Sequence, residues 1–346
     1  INHDVKAVET YIGNKFTESG HFHKNLIHFG LTSQDINNVS ISLSIKDYLN
    51  NIYFSNIDVI LDLINNKTEI WKNSIMISKT HGQSAVPTTM GKEFKVFFYR
   101  LEKELLNLKK QQIYSKFGGA VGNLNAHYLA YPNINWENFA DTFLESYYLK
   151  RNKYTTQIDN YESLSNIFDN IKRINTILVD MCRDIWTYIS MDYLKQKINH
   201  EEVGSSTMPQ KVNPINFENA EGNLLMSITM LEFLSRKLPI SRLQRDLTDS
   251  TILRNLGIVF GWCEIAYHNI KIGLQKININ QEKINYDNNN NLSVLTEGYQ
   301  TLLRKWGYED AYYKIKKISR TNNNLTKNDL NDFIDTLDLD NEKKNE

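Results

Sequence analysis

Residues 33–72 read SQDINNVSISLSIKDYLNNIYFSNIDVILDLINNKTEIWK, a stretch with neither proline nor glycine. Proline removes a helical hydrogen bond and glycine is the other strong punctuator of local structure, so their absence permits a very long helix. Ile36, Val39, Leu43, Leu49, Ile52, Ile57, Ile60, Leu61 and Ile64 recur at roughly helical spacing along it, and Ser33 is placed to serve as its N-cap. Four more windows behave alike. Gly91–Lys116 carries Phe94, Phe97, Leu101, Leu105 and Leu108 on one side, with lysines and glutamates between them. Tyr161–Ile198 is the third. The fourth follows the Asn213-Pro214 pair, an N-cap with a first-turn proline, to Arg236, and the fifth is Asp249–Lys276.

Several of these windows exceed the usual ~8–20 residues of a globular helix, and one short domain cannot cover so long an apolar stripe. The expected fold is therefore all-α: a bundle of long helices that pack along their length and continue across subunits in an oligomer. Strand-like alternation is nearly absent and no internal repeat is visible. The prolines, Pro87, Pro132, Pro209, Pro214 and Pro239, fall mostly between the windows. The loops there hold the unusual residues, as expected when a rigid scaffold presents chemistry at its ends.

Composition removes other classes. Lys plus Arg equals Asp plus Glu at 40 each, which leaves no net field for a nucleic acid, so an anion site must be a local cluster. No run approaches the ~20 apolar residues of a membrane span and no leader opens the chain, so the expectation is a protein of the cytoplasm. Cys182 and Cys263 sit in apolar helical stretches, as buried thiols of a reducing compartment do. His21, His23 and His28 lack a cysteine or carboxylate partner at ligand spacing, and no metal site is expected there. The asparagine runs 288–291 and 322–324 read as solvated connections.

The segment Gly204-Ser205-Ser206-Thr207-Met208-Pro209-Gln210-Lys211-Val212-Asn213-Pro214 lies between two helical windows. Turn chemistry and capping explain its Gly, Asn and Pro, but not the paired serines or the lysine. It resembles the signature loop of the fumarase/aspartase superfamily. Thr80-His81-Gly82-Gln83-Ser84-Ala85 resembles that family's Thr-His-x-Gln-Pro-Ala segment, with Ser84 in place of proline, and Thr32-Ser33-Gln34-Asp35-Ile36-Asn37 is similar to its Thr-Ser-x-Asp-x-Asn segment. Phe117-Gly118-Gly119-Ala120-Val121-Gly122-Asn123 resembles the family's loop after the second long helix.

The resemblance implies that Ser205 is a general base, His81 a general acid, and that Ser206, Lys211, Asn213, Thr32 and Ser33 contact substrate. No metal or redox cofactor is implied. Proton removal beside a carboxylate makes a dianionic aci-carboxylate, so cations and hydrogen-bond donors must stand where that charge appears. Lys211 and nearby loop amides offer a means of stabilising a serine alkoxide, and the neutral-range pKa of histidine suits it to protonating a leaving nitrogen.

Two further segments bear on the substrate. Residues 241–255, SRLQRDLTDSTILRN, gather three arginines and two serines at a helix start; arginine offers a planar fork to phosphate and the helix end adds amide donors. The run resembles the phosphate segment of the bacterial-type adenylosuccinate lyases, which implies phosphate binding or ordering by Arg245, Ser250 and Arg254. A surface salt-bridge network of Arg242, Arg245, Asp246, Asp249 and Arg254 is the plainer alternative. Asn2, His3 and Asp4 match the segment beside the nucleotide, and Gln157, in Tyr154-Thr155-Thr156-Gln157-Ile158, a substrate-contacting glutamine. The resemblance further implies elimination of fumarate from succinylated purine nucleotides by a homotetramer whose sites draw on several subunits. It divides the chain into a remnant of an N-terminal helical domain (1–29), a central long-helix domain (30–276) and a small C-terminal helical domain (277–346). Another fumarate-releasing member such as an argininosuccinate lyase, or a non-catalytic structural relative, stays open at this point.

Overall fold

The computed structural model describes residues 2–20, 23–197, 208, 210–320 and 325–345. Helices dominate: α1 (Asp4–Glu18), α2 (Ser33–Tyr48), α3 (Phe54–Ile70), α4 (Met90–Lys109), α5 (Asn125–Ala130), α6 (Trp136–Ser146), α7 (Glu162–Ser190), α8 (Ile215–Lys237), α9 (Thr248–Leu253) and α10 (Leu256–Lys276). The short helices α11 (Gln281–Asn289), α12 (Thr296–Lys305), α13 (Ala311–Ser319), α14 (Lys327–Asp335) and α15 (Asn341–Asn345) follow. Strands are few and short: the antiparallel pair β1 (Ile75–Thr80) and β2 (Gln83–Thr89), the parallel pair β3 (Tyr114–Ser115) and β4 (Lys150–Arg151), and the antiparallel pair β5 (Leu194–Gln196) and β6 (Ile277–Ile279). Among the described residues no helix is long and apolar enough to cross a membrane.

Each long window forms helix, with physically informative departures. The first is interrupted by a π-helical turn over Leu49–Tyr53. Ile45, Leu49, Tyr53 and Ile57 are all buried and all four residues apart; that spacing overshoots a 3.6-residue turn at every step, and a wider turn keeps the stripe facing inward. Ile36 and Ile52 are exposed instead. The cap lies one residue earlier than expected: Thr32 is the N-cap, Ser33 is the first helical residue, and Asp35 Oδ2 accepts the Thr32 N–H at 2.8 Å. The second window stops at Lys109, ahead of strand β3, and the third at Ser190, ahead of the pairing of residues 194–196 with 277–279. The fifth is broken between Leu253 and Leu256 into α9 and α10.

The chain divides into two compact units. One comprises Ile1–Leu61, Arg100–Cys182 and Asn216–Lys271. Its interior is lined by Ile57, Leu101, Leu105, Leu164, Phe168, Ile171, Leu224, Leu231 and Val259, each 3% exposed or less; full burial of one such side chain stabilises by roughly 1.5–3 kcal/mol. A buried polar knot ties three helices: Asn175 Nδ2 on α7 donates to Ser227 Oγ on α8 at 2.9 Å and to Cys263 Sγ on α10 at 3.3 Å, and the Tyr267 hydroxyl donates to Asn175 Oδ1. Polar groups removed from water need such partners. Both cysteines are free and buried, and burial pushes both thiols up from their ordinary pKa.

The other unit comprises Asp62–Tyr99, Arg183–Ile215 and Ile272–Glu346. Trp71 meets Phe94 edge-on at 5.0 Å, and Leu303, Ala311, Ile315 and Leu337 form a C-terminal cluster. The β1–β2 hairpin is pinned where Asn288 Nδ2 donates to the Ile75 carbonyl at 2.8 Å.

Candidate active site

In the first unit α2 buries a polar stripe beside its apolar Val39 and Ile45. Gln34, Asp35, Asn38 and Ser42 are 2% exposed or less, and Asp35, Asn38 and Ser42 meet the loop at residues 115–119. Asn38 Oδ1 accepts from the Ser115 hydroxyl and from Lys116 N, both at 2.7 Å. Asp35 Oδ1 accepts from Gly118 N at 2.8 Å and Gly119 N at 3.2 Å, and lies 2.7 Å from Lys116 Nζ, with both side chains fully buried. The ammonium also donates to the Gly119 carbonyl at 2.6 Å. A buried ion pair costs desolvation that only good geometry and further hydrogen bonds offset, and here they are present. Burial still pulls the Lys116 ammonium below its ordinary pKa, with Asp35 opposing. Gly122, at φ +82°, approaches the Thr155 carbonyl so closely that an added Cβ would lie 2.2 Å from its oxygen; this is a contact only glycine permits.

The loop so fixed touches the next element. Gln157 Nε2 donates to the Ala120 carbonyl at 3.1 Å, and Gln157 Oε1 accepts from Arg245 Nη1 at 3.3 Å. Arg245 Nη2 donates to Ser250 Oγ at 3.1 Å, and Gln34 Nε2 donates to the same oxygen at 3.5 Å, which returns the path to α2. The Tyr161 hydroxyl holds Asp249 at 2.9 Å. Arg245 thus meets neutral groups with its Nη atoms, while its Nε is buried without a partner. Arg242 and Asp246 do form the surface ion pair of the plainer alternative, at 3.1 Å, but it leaves Arg245 to these neutral partners.

A cavity of about 820 Å³ opens beside this ring, lined by Asn2, His3, Asp4, Ser33, Arg245, Ser250 and Arg254 together with Gln34 and Asn37. Seven residues singled out from separate parts of the sequence therefore share one concavity. His3 also caps α1, its Nδ1 accepting from Lys6 N at 3.2 Å. Thr32 sits just before α2 and Gln157 behind Arg245.

The remaining described candidates belong to the second unit. His81 belongs to the second unit, exposed at the tip of the β1–β2 hairpin, where Thr80 pairs with Gln83. His81 and Gly82 have φ of 53° and 74°, the left-handed pair that a two-residue hairpin turn requires. Lys211 is exposed and Asn213 half-buried, just before α8 in the same unit. Ser205 and Ser206 lie outside the described residues.

Asp35, Asn38 and Lys116 have no predicted site role, yet they hold the loop. Asn38 alone of the three left a signal: polar residues at 34, 38 and 42, one helical face, in a stretch whose periodicity reads as apolar. Asp159 is a further buried group, accepting from Asn152 Nδ2 at 2.6 Å and Tyr161 N at 2.8 Å. Burial raises its carboxyl from 3.8 to about 6 against those donors. The folded state therefore keeps a proton that the unfolded chain has lost. The stability gained, of order 2–3 kcal/mol, is complete below the unfolded pKa and disappears as pH rises through about 6. Thermal unfolding of Asp159→Asn beside the parent should show the parent's relative advantage shrinking between pH 4 and pH 7. A pH-independent difference would contradict the assignment.

The helical scaffold is shared with proteins of known structure. A class II fumarase from Schistosoma mansoni superposes with a TM-score of 0.70 at 20% identity, over 86% of this chain and 66% of the fumarase. The 3-carboxy-cis,cis-muconate lactonizing enzyme of Pseudomonas putida gives 0.74 at 20% identity, over 91% of this chain and 70% of that enzyme. The family model described as Lyase matches residues 1–227, and the model described as Adenylosuccinate lyase C-terminal matches residues 241–346. Helical fold, cavity and family model together define a lyase of the fumarase/aspartase class.

Within that class the relatives are specific. The adenylosuccinate lyase of Dictyostelium discoideum is 46% identical over all of this chain and 76% of the relative. Those of Haemophilus influenzae and Escherichia coli are 43% and 42% identical, each over 99% of this chain and 75% of the relative. The chain belongs to the adenylosuccinate lyase family, whose members are carbon–nitrogen lyases.

Proposed function

We propose that this protein eliminates fumarate from adenylosuccinate, leaving AMP, and from the succinylated imidazole-carboxamide ribotide of purine synthesis. Ser205 removes the proton on the carbon beside a carboxylate. The electron pair is held as an aci-carboxylate until the carbon–nitrogen bond breaks, and His81 delivers a proton to the departing nitrogen. Lys211, with the loop amides, favours the serine alkoxide; Ser206, Asn213, Thr32 and Ser33 hold the succinyl carboxylates.

The observation that carries the nucleotide reading is the cavity in which Arg245, Ser250 and Arg254 meet Asn2, His3, Asp4 and Ser33. A guanidinium whose Nη partners are neutral keeps its charge available to donate to a phosphate. A homotetramer whose subunits complete one another's sites belongs to this reading, and the buried free thiols suit the cytoplasm. Ser205→Ala should lower the rate of fumarate release by roughly 10²–10⁴, followed by fumarate absorbance. Turnover at the parental rate would remove Ser205 from the base role.

A further inference from the structure

The Asp35–Lys116 pair stands behind the cavity wall and is the hub from which the wall is hung. One oxygen of the carboxylate takes the Thr32 N–H at the start of α2. The other takes Gly118 N, Gly119 N and the Lys116 ammonium. From Gly119 the path continues through Ala120, Gln157, Arg245 and Ser250 back to Gln34, the neighbour of Asp35. The hydrogen bonds thus close a ring that includes both the Ser33 end and the Arg245 end of the cavity.

The pair is fully buried, yet it is surrounded by backbone amides and carbonyls of a glycine loop. An apolar pair would satisfy packing here but would leave Gly118 N, Gly119 N and Thr32 N without acceptors, and a carboxylate alone would leave the Gly119 carbonyl without its donor. The arrangement fixes the distance between a helix start and a loop, which is what a site with anion-binding groups at two ends requires.

We propose that Asp35 and Lys116 are positioning residues that set the spacing between the Ser33 and Arg245 ends of the nucleotide cavity. This rests on the proposed function for the nature of the ligand. Lys116→Met removes the charge and the bond to Gly119 while Asp35 keeps its three amide donors. The enzyme should then show KM for adenylosuccinate and the Kd of AMP both raised about tenfold or more, with kcat little changed. The double variant Asp35→Asn/Lys116→Met, which buries no unpaired charge but offers one acceptor oxygen where the carboxylate had two, should bind AMP no better than Lys116→Met whatever its Tm.

A purely structural pair would behave otherwise, with affinity returning together with Tm in the double variant. That result, or parental KM and AMP affinity in Lys116→Met, would overturn the proposal. If the parent released no fumarate the proposed function would fail, and AMP binding by calorimetry, which needs no turnover, would still decide the positioning role.

Discussion

His81→Asn is expected to lower kcat for fumarate release by about 10²–10⁴ while leaving Tm where it is. The substitution is chosen from the backbone. His81 occupies φ 53° at an exposed hairpin tip, and asparagine is among the few side chains that adopt this left-handed region readily. The turn is thereby kept and only the titratable ring is lost. Alanine there would mix a folding cost with the chemical one. Equal rates for His81→Asn and the parent would show that another group protonates the leaving nitrogen.

Arg245→Met is expected to raise KM for adenylosuccinate roughly 10- to 100-fold, as removal of hydrogen bonds to a charged group worth ~1.5–3 kcal/mol would do. The guanidinium's contacts in this structure are long, 3.3 Å to Gln157 and 3.1 Å to Ser250, and both partners are neutral. Little is therefore lost from the protein itself when they go, and Tm should fall only modestly. If the guanidinium binds phosphate in ground and transition states alike, kcat stays close to the parental value. Steady-state kinetics with adenylosuccinate read both constants. An unchanged KM would remove Arg245 from phosphate binding.

Much of the architecture was legible because long helices declare themselves by what they lack. The windows over α2–α3, α4, α7, α8 and α9–α10 contain no internal proline, and their apolar spacing survives in the buried positions. The hairpin of residues 75–89 was not legible. Its alternation is short, a register shift falls between Ile77 and Lys79, Pro87 lies within the second strand, and His-Gly stands where Asn-Gly would announce the turn. The break between α9 and α10 likewise leaves no proline or glycine mark at Arg254 or Asn255.

The site divides the same way. Arg245, Ser250, Arg254 and Ser33 could be named because their segments resemble those of the family; arginines and hydroxyls at helix starts alone fit a salt-bridge network or a cap equally well. That these residues share a wall with Asn2, His3 and Asp4 required the fold. Asp35 and Lys116 escaped notice because an acidic residue in a first helical turn and a lysine ahead of two glycines both have ordinary surface explanations. Only their complete burial, 2.7 Å apart, distinguishes them.

The central claim is that this adenylosuccinate lyase family member performs the base–acid elimination on a succinylated purine nucleotide. It is tested most directly by offering the natural full-length protein adenylosuccinate and argininosuccinate in parallel and following fumarate. The account predicts release from adenylosuccinate alone; release from argininosuccinate alone, or from neither, would contradict it.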